Sequence, residues 1–467
     1  EPKQIAKLRI LDPACGSGSF LIGAYTYLLN YHRDWYVNDG QQKHTKEIYQ
    51  GSGGQWLLTT QEKKRILLNN IYGVDIDSQA VEVTKLSLLL RVLEGESEET
   101  IGKNLKLFRE RALPDLGNNI KCGNSLIGPD FYQNQQMSLL DDEERYRINV
   151  FDWDAEFPAI MKAGGFDAVI GNPPWGASLS GTEKEYLSSK YACFFGNHDS
   201  YLFFVERATR LLRKGGLVSF VTPDSWLKVP QAKKLRQIVL DTMSISLITA
   251  LPQRVFYKVS ANCVVFILLK AKGPGRCLVN IFLPKSQLSD LAREKFDERY
   301  EVSSEEWNNT SDFQFQIFQK KEISAIISRI RTRCSKGIDH LDVMQGIVPY
   351  SQEQHSKDTI EKRRFHASRK VSNKYGICIQ GRAISRYSLA INDVEYLRYG
   401  PWLHRPRKPR YFEGLRILIQ EITGGHPPRI SACYCDTVVY HDPGIISCLN
   451  LGTLHTNFLL GILNSTF

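Results

Sequence analysis

The run Phe166-Asp167-Ala168-Val169-Ile170-Gly171, followed at once by Asn172-Pro173-Pro174-Trp175, constrains this chain more than any other segment. The apolar stretch reads as a strand buried on both faces, as in a parallel sheet. Two consecutive prolines fix φ, and the first pushes Asn172 out of the helical region, so the strand must end in a rigid turn. That turn presents the Asn172 amide and the Pro173 carbonyl outward, with an aromatic ring beside them. The carboxyl edge of an open α/β sheet is where ligands bind. Two acceptors flanked by a flat ring suit a planar amine, such as the exocyclic nitrogen of a nucleobase. The plainer reading is a proline-stiffened loop with no chemistry.

Two further strand ends bear on that choice. A short strand at 8–11 leads into Asp12-Pro13-Ala14-Cys15-Gly16-Ser17-Gly18-Ser19-Phe20 and then a helical run at 21–29. Glycines between strand and helix let a ligand approach the backbone, and a helix amino terminus attracts an anionic group. The Gly16-x-Gly18 spacing lacks the third glycine of a dinucleotide turn. Asp12 at the strand end would repel a pyrophosphate but pair with an ammonium, so an amino acid or its conjugate is expected. Asn70-Ile71-Tyr72-Gly73-Val74-Asp75-Ile76-Asp77 is another apolar strand ending in acid. A carboxylate there accepts ribose hydroxyls, and Ile76 can pack on an adenine; alternatively Asp75 or Asp77 only caps the helix from Ser78 to Leu90. Amino-acid end, ribose and adenine together describe S-adenosylmethionine.

In this order the three motifs resemble those of the adenine-N6 DNA methyltransferases, more narrowly the TaqI-like branch found in modification enzymes and in fused (type IIG) restriction-modification proteins. The resemblance extends to Cys122-Gly123-Asn124-Ser125-Leu126, at the family's third-strand motif, with Asn124 in place of the usual acid against the cofactor adenine. It extends also to Phe256, where the family places an aromatic on the target base, and to Tyr201 and Phe204 on a helix beneath the site. The segments 346–350, 407–412, 417–421 and 460–465 resemble the family's DNA-specificity domain.

The resemblance implies a doubly wound α/β class I S-adenosylmethionine-dependent methyltransferase fold over residues 1–270, a bridging segment over 271–330, and a mixed, strand-rich DNA-recognition domain over 331–467, truncated at its end. Strands are expected at 8–11, 71–75, 119–122, 167–171, 217–221, 245–250 and 262–269, the last two forming a hairpin that carries Phe256 toward the site. The polar stretch 34–70 reads as an insertion. Implied cofactor contacts are Asp12, Pro13, Ala14, Cys15, Gly16, Gly18, Phe20, Asp75, Ile76, Asn124 and Ser125. Asn172, Pro173, Pro174 and Trp175 are the catalytic set, with Trp175 and Phe256 expected on the two faces of a flipped adenine. Phe204, Arg407, Lys408 and Arg410 are the other substrate contacts.

Charge fits a polyanionic partner. Lys and Arg number 60 against 50 Asp and Glu, and residues 331–410 alone carry 17 basic and 7 acidic side chains, about the whole excess. Aromatics are interleaved among them, which suits a phosphate backbone contacted along its length and bases read at their edges; a solvated basic face is the alternative. Double-stranded DNA is therefore the expected partner. The ten cysteines are scattered without a Cys-x-x-Cys pair, so neither zinc nor disulfides are expected. No Pro-Cys pair offers the nucleophile of a cytosine-C5 methyltransferase. No stretch is long and apolar enough for a membrane span, and a prokaryotic cytoplasm is expected. The chain opens directly on the first cofactor strand, so it reads as a segment of a longer protein in which a nuclease region would lie elsewhere. Methylation of RNA or of a protein glutamine, and an inactive DNA-binding scaffold, are the competing functions.

Overall fold

The structure is a computed structural model. It describes the chain apart from residues 52, 96–113, 133–141, 178, 195–198, 253–254, 257–260, 274, 284–285, 319–325, 327–328, 331–332, 353, 392–394, 422–429 and 466–467. It divides into two compact units, Glu1–Gln319 and Lys320–Phe467.

The first unit is built on nine strands: β1 (Ile10–Asp12), β4 (Ile71–Asp75), β5 (Ile120–Cys122), β6 (Phe166–Gly171), β7 (Leu212–Pro223), β8 (Ser244–Ala250), β9 (Cys263–Leu269), β10 (Arg276–Ile281) and β11 (Glu298–Ser303); the hairpin β2 (Ile48–Gln50) and β3 (Trp56–Leu58) stands apart. Their order is β5-β4-β1-β6-β7-β9-β8-β10-β11. β5, β4, β1, β6 and β7 run parallel, whereas β9 lies antiparallel between β7 and β8. This is the class I methyltransferase arrangement. Chain order reverses on either side of β1, so a crevice opens at the carboxyl ends of β1, β4 and β6.

Side chains alternate across the strands into two cores. Ile71 joins Leu21, Tyr25, Ile66 and Leu88 on one face, while its neighbour Tyr72 packs with Phe157, Phe166 and Val169 on the other. Helices Ser19–Gly40, Thr60–Asn70 and Ser78–Leu93 supply the first layer. The stretch 34–70 is thus the end of a long helix, the β2–β3 hairpin and a second helix.

The segment 271–330 is not simply a bridge. β10 pairs parallel with β8 and antiparallel with β11, and both extend the sheet. Val279 and Cys277 are wholly buried there, an apolar alternation masked in sequence by the flanking charges.

The second unit is strand-rich and mixed. β12 (Leu341–Gln345), β21 (Ile445–Asn450), β18 (Arg416–Gln420) and β19 (Ala432–Cys435) form one antiparallel sheet; β13 (His366–Ala367), β17 (Glu395–Arg398), β14 (Tyr375–Ile379) and β20 (Tyr440–His441) form a mixed one, in which β20 runs parallel to β14, with β15 (Ile384–Ser385) and β16 (Ser388–Leu389) as a small ribbon. Gly346 is required where β12 ends, since a Cβ there would lie 1.9 Å from the Asp442 carbonyl oxygen. Among the described residues no helix is long and apolar enough to cross a membrane.

Candidate active site

The glycine turn after β1 is tied on every side. Asp12 continues β1, opposite Gly73. Beyond it, the Cys15 N–H donates to the Val74 carbonyl (3.1 Å), the Gly16 N–H to Asp75 Oδ2 (2.7 Å), and Thr84 Oγ1 to the Gly16 carbonyl (2.7 Å). Ser125 Oγ donates to the Pro13 carbonyl (2.6 Å). Gly16 and Gly18 have φ of +53° and +84°, and a Cβ on Gly18 would meet Thr84 at 2.9 Å. The loop is held open and backbone-lined at the amino end of helix Ser19–Gly40.

Asp12 lies at the centre, 2% exposed. Among the described residues its carboxylate accepts a single hydrogen bond, from the Ala14 N–H at 3.0 Å, although an ionised carboxylate has room for about four. Burial pushes its carboxyl up to about 7; the Ala14 bond opposes that and nearby Asp75 adds to it. A buried, underused acid of this kind is short of a cation. It also joins the two halves of the site: a Cβ on Gly171, at the end of β6, would sit 2.6 Å from Asp12 Oδ1. Only glycine lets the glycine turn and the Asn172 turn approach so closely.

The donor set fits S-adenosylmethionine. Asp12 would face the ammonium, the Gly16–Gly18 backbone would leave room for the chain, Asp75 has lone pairs that would take ribose hydroxyls, and Ile76 (47% exposed) and Phe20 (38% exposed) offer apolar surface. Several expected contacts have other duties. Asp75 braces the turn through Gly16 and accepts from the Asp77 N–H (3.0 Å). Asp77 caps helix Ser78–Leu93. Cys15 and Ser125 are buried; burial pushes the Cys15 thiol up, so it stays an inert neighbour, and Ser125 acts through Pro13. Asn124 Oδ1 closes a turn on the Leu126 N–H (3.0 Å).

At the end of β6, Asn172 is exposed, Pro173 buried and Pro174 exposed. Two bonds that the sequence did not signal hold the turn: Ser200 Oγ donates to the Pro174 carbonyl (2.5 Å) and the Gly176 N–H donates to Asp199 Oδ1 (2.6 Å). Neither uses Asn172 or the Pro173 carbonyl, and among the described residues no hydrogen bond reaches either acceptor. Phe256 meets Trp175 edge to face, with centroids 5.4 Å apart and planes at 89°. The open slot expected between them, roughly 7 Å or twice the optimal carbon separation, is therefore closed by mutual contact. The Trp175 indole N–H is buried without a partner among the described residues. Phe204, expected as a substrate contact, is buried in the core on helix Tyr201–Leu211.

In the second unit the nominated cations divide. Arg410 pairs with Asp342 (2.6 Å) and lies over the Tyr411 ring. Arg407, at φ +64°, donates to the Gly346 carbonyl (3.3 Å). Lys408 and its neighbour Arg405 are exposed, and no ion pair among the described residues engages them.

Residues 69–256 match the model of the Eco57I restriction-modification methylase family, and residues 4–108 that of the RMKL-like methyltransferase domain. Over 271 residues the chain is 32% identical to the type II restriction enzyme and methyltransferase RM.Eco57I of Escherichia coli, covering 56% of this chain and 25% of that protein. It is 22% identical over 240 residues to the adenine-specific methyltransferase PglX of Streptomyces coelicolor, covering 49% of this chain and 18% of that protein. The chain thus spans a quarter or less of both relatives. The type IIL restriction-modification enzyme MmeI, solved in complex with DNA, shares the fold, with a TM-score of 0.59 at 14% identity over 99% of this chain and 59% of that one. With the motifs and sheet order above, these matches show an Eco57I-like restriction-modification methylase domain over residues 69–256.

Proposed function

We propose that this chain is the modification part of a restriction-modification enzyme, moving a methyl group to N6 of a flipped-out adenine in double-stranded DNA. The observation that carries the reading is the pair of unspent acceptors, the Asn172 amide oxygen and the Pro173 carbonyl, one glycine away from the buried Asp12 carboxylate.

The exocyclic amine of adenine is a poor nucleophile because its lone pair is delocalised into the ring. Asn172 and Pro173 accept its two hydrogens, draw the nitrogen toward a tetrahedral shape and localise the lone pair. S-adenosylmethionine supplies, when bound, a methyl group on a positively charged sulfur. Positive charge is spread rather than created, so the residues need no strong base; orientation does most of the work. Asn172, being exposed, passes the surplus proton to solvent. Trp175 stacks on the base, and Phe256 becomes the second wall once the two rings part. The amine is hidden in duplex DNA, so the base must leave the stack to reach this turn. Exposed cations of the second unit, Lys408 and Arg405 among them, contact phosphates.

The test is calorimetric titration with S-adenosylmethionine followed by tritiated methyl transfer to duplex DNA, RNA and protein. Label in DNA alone supports the reading. Label confined to RNA or protein, or cofactor binding without any transfer, rejects it.

A further inference from the structure

The segment just before residue 150 touches the cofactor crevice, although no motif marks it. Helix Asp142–Ile148 ends at Asn149, whose φ is +47°. The Asn149 side-chain amide donates one hydrogen to the Ile76 carbonyl (3.1 Å) and approaches Cys122 Sγ at 3.2 Å. Its carbonyl accepts from the Asn124 N–H (2.6 Å), beside a parallel bridge between Asn124 and Val150. One residue therefore fastens the carboxyl ends of β4 and β5, the two strands that border an adenine resting on Ile76. Tyr146, one turn earlier, lies 3.2 Å from Ser78 through its hydroxyl, so the helix is stitched to this edge twice.

The plain account of Asn149 is a left-handed residue closing a helix, a place where asparagine is common. It leaves the side chain unexplained. With both amide hydrogens directed at Ile76 and Cys122, Oδ1 is the side-chain atom that no hydrogen bond reaches among the described residues. The acceptor expected from the third-strand motif, Asn124 Oδ1, meanwhile spends one of its two lone pairs on the Leu126 N–H. We propose that Asn149 is the specificity-determining residue of the adenine end of the cofactor site, accepting the exocyclic amine of the cofactor's own adenine while it holds Ile76 in place. This rests on the cofactor assignment above.

The experiment compares binding of S-adenosylhomocysteine and S-inosylhomocysteine, which carries a carbonyl in place of the amine, to the full-length protein and to Asn149→Gly and Asn149→Asp. Glycine keeps the left-handed backbone and removes only the side chain; aspartate keeps an acceptor. The wild type should prefer the adenosyl ligand by about tenfold, the worth of one well-placed hydrogen bond. Asn149→Gly should lose that preference, with the melting temperature lowered only slightly by the loss of its exposed hydrogen bond to Ile76, and Asn149→Asp should retain it. A wild-type ratio in Asn149→Gly overturns the proposal, as does loss of the ratio in both variants. Alkylation of Cys122, which is exposed, tests the parent reading separately. S-adenosylhomocysteine should slow it in the wild type, with exposed Cys334 as reference; no protection together with no measurable binding would sink the cofactor assignment itself.

Discussion

The glycine turn and the Asn172 turn lie against each other and are built on opposite plans. The first spends nearly all its polar groups internally: Pro13, Ala14, Cys15 and Gly16 are bonded to Ser125, Asp12, Val74, Thr84 and Asp75. Among the described residues the second is anchored only at its rear, through Pro174 and Gly176, and no hydrogen bond reaches Asn172 or the Pro173 carbonyl. A site that must bind a flexible cofactor gains from a rigid cradle, because preorganisation lowers the ordering cost of binding. A site that must reshape an amine needs acceptors with no prior partner. On the proposed function the difference separates binding from chemistry, and it can be broken at either end.

The largest effect should come from the chemical end. Asn172→Ala should lower kcat by roughly 10²–10³-fold, the cost of losing one preorganised electrostatic partner, while the cofactor Kd measured by calorimetry stays within about twofold. A matching loss of cofactor affinity would show that the two turns do not divide the labour.

Next comes Asp12. Asp12→Asn should weaken S-adenosylmethionine binding by about 10- to 100-fold, the worth of a charge-assisted contact. Its folded pKa is raised to about 7 from 3.8, so its contribution to stability is present below pH 4 and lost as pH rises through 7. Asp12→Asn should therefore raise the melting temperature of the cofactor-free protein at pH 8 and leave it nearly unchanged at pH 4. Cofactor affinity of the wild type should fall as pH drops below 7, where the carboxyl takes up its proton. A titration flat between pH 5 and 8 would remove the ammonium pairing.

Gly18→Ala probes the cradle itself. A Cβ forced to φ +84° and to within 2.9 Å of Thr84 should cost about 1–3 kcal/mol of stability in a denaturant melt. Gly16→Ala, with no neighbour within 4 Å, should cost less.

The strands were largely legible in the sequence because buried parallel strands are continuous apolar runs bounded by Gly, Pro and Asp; the expected 71–75 and 245–250 differ from β4 and β8 by at most one residue. The close approach of the two turns was not legible, since it depends on Gly171 meeting Asp12 across 159 positions of sequence. The same limit explains the side chains whose local pattern suggested ligand contact. Ser125 turned inward to Pro13 and Phe204 joined the core, because partners far along the chain claimed them, whereas Asn124 closed its own turn on Leu126, two residues on. Ser200, Asp199, Thr84 and Asn149 had no motif at all. They act through backbone carbonyls and N–H groups, which sequence patterns do not record. Charge shows this most plainly. Arg407, Lys408 and Arg410 read as one cluster, yet Asp342, 68 residues away from Arg410, has already claimed that cation.

That division gives the smallest and sharpest prediction. Lys408→Ala and Arg405→Ala should each reduce the slope of log affinity for DNA against log salt by about 1. Arg410→Ala should change the slope less, since its charge is already paired, and should lower stability instead. Equal slopes for all three variants would return them to a single basic face.

The central claim is that Asn172 and Pro173 grip the amino group of a purine drawn from duplex DNA. Nucleoside mass spectrometry of duplex DNA incubated with the full-length protein and S-adenosylmethionine tests it most directly. N6-methyladenine should appear with the wild type and form roughly 10²–10³-fold more slowly with Asn172→Ala; N4-methylcytosine or C5-methylcytosine in its place, or N6-methyladenine formed by the variant at the wild-type rate, would contradict it.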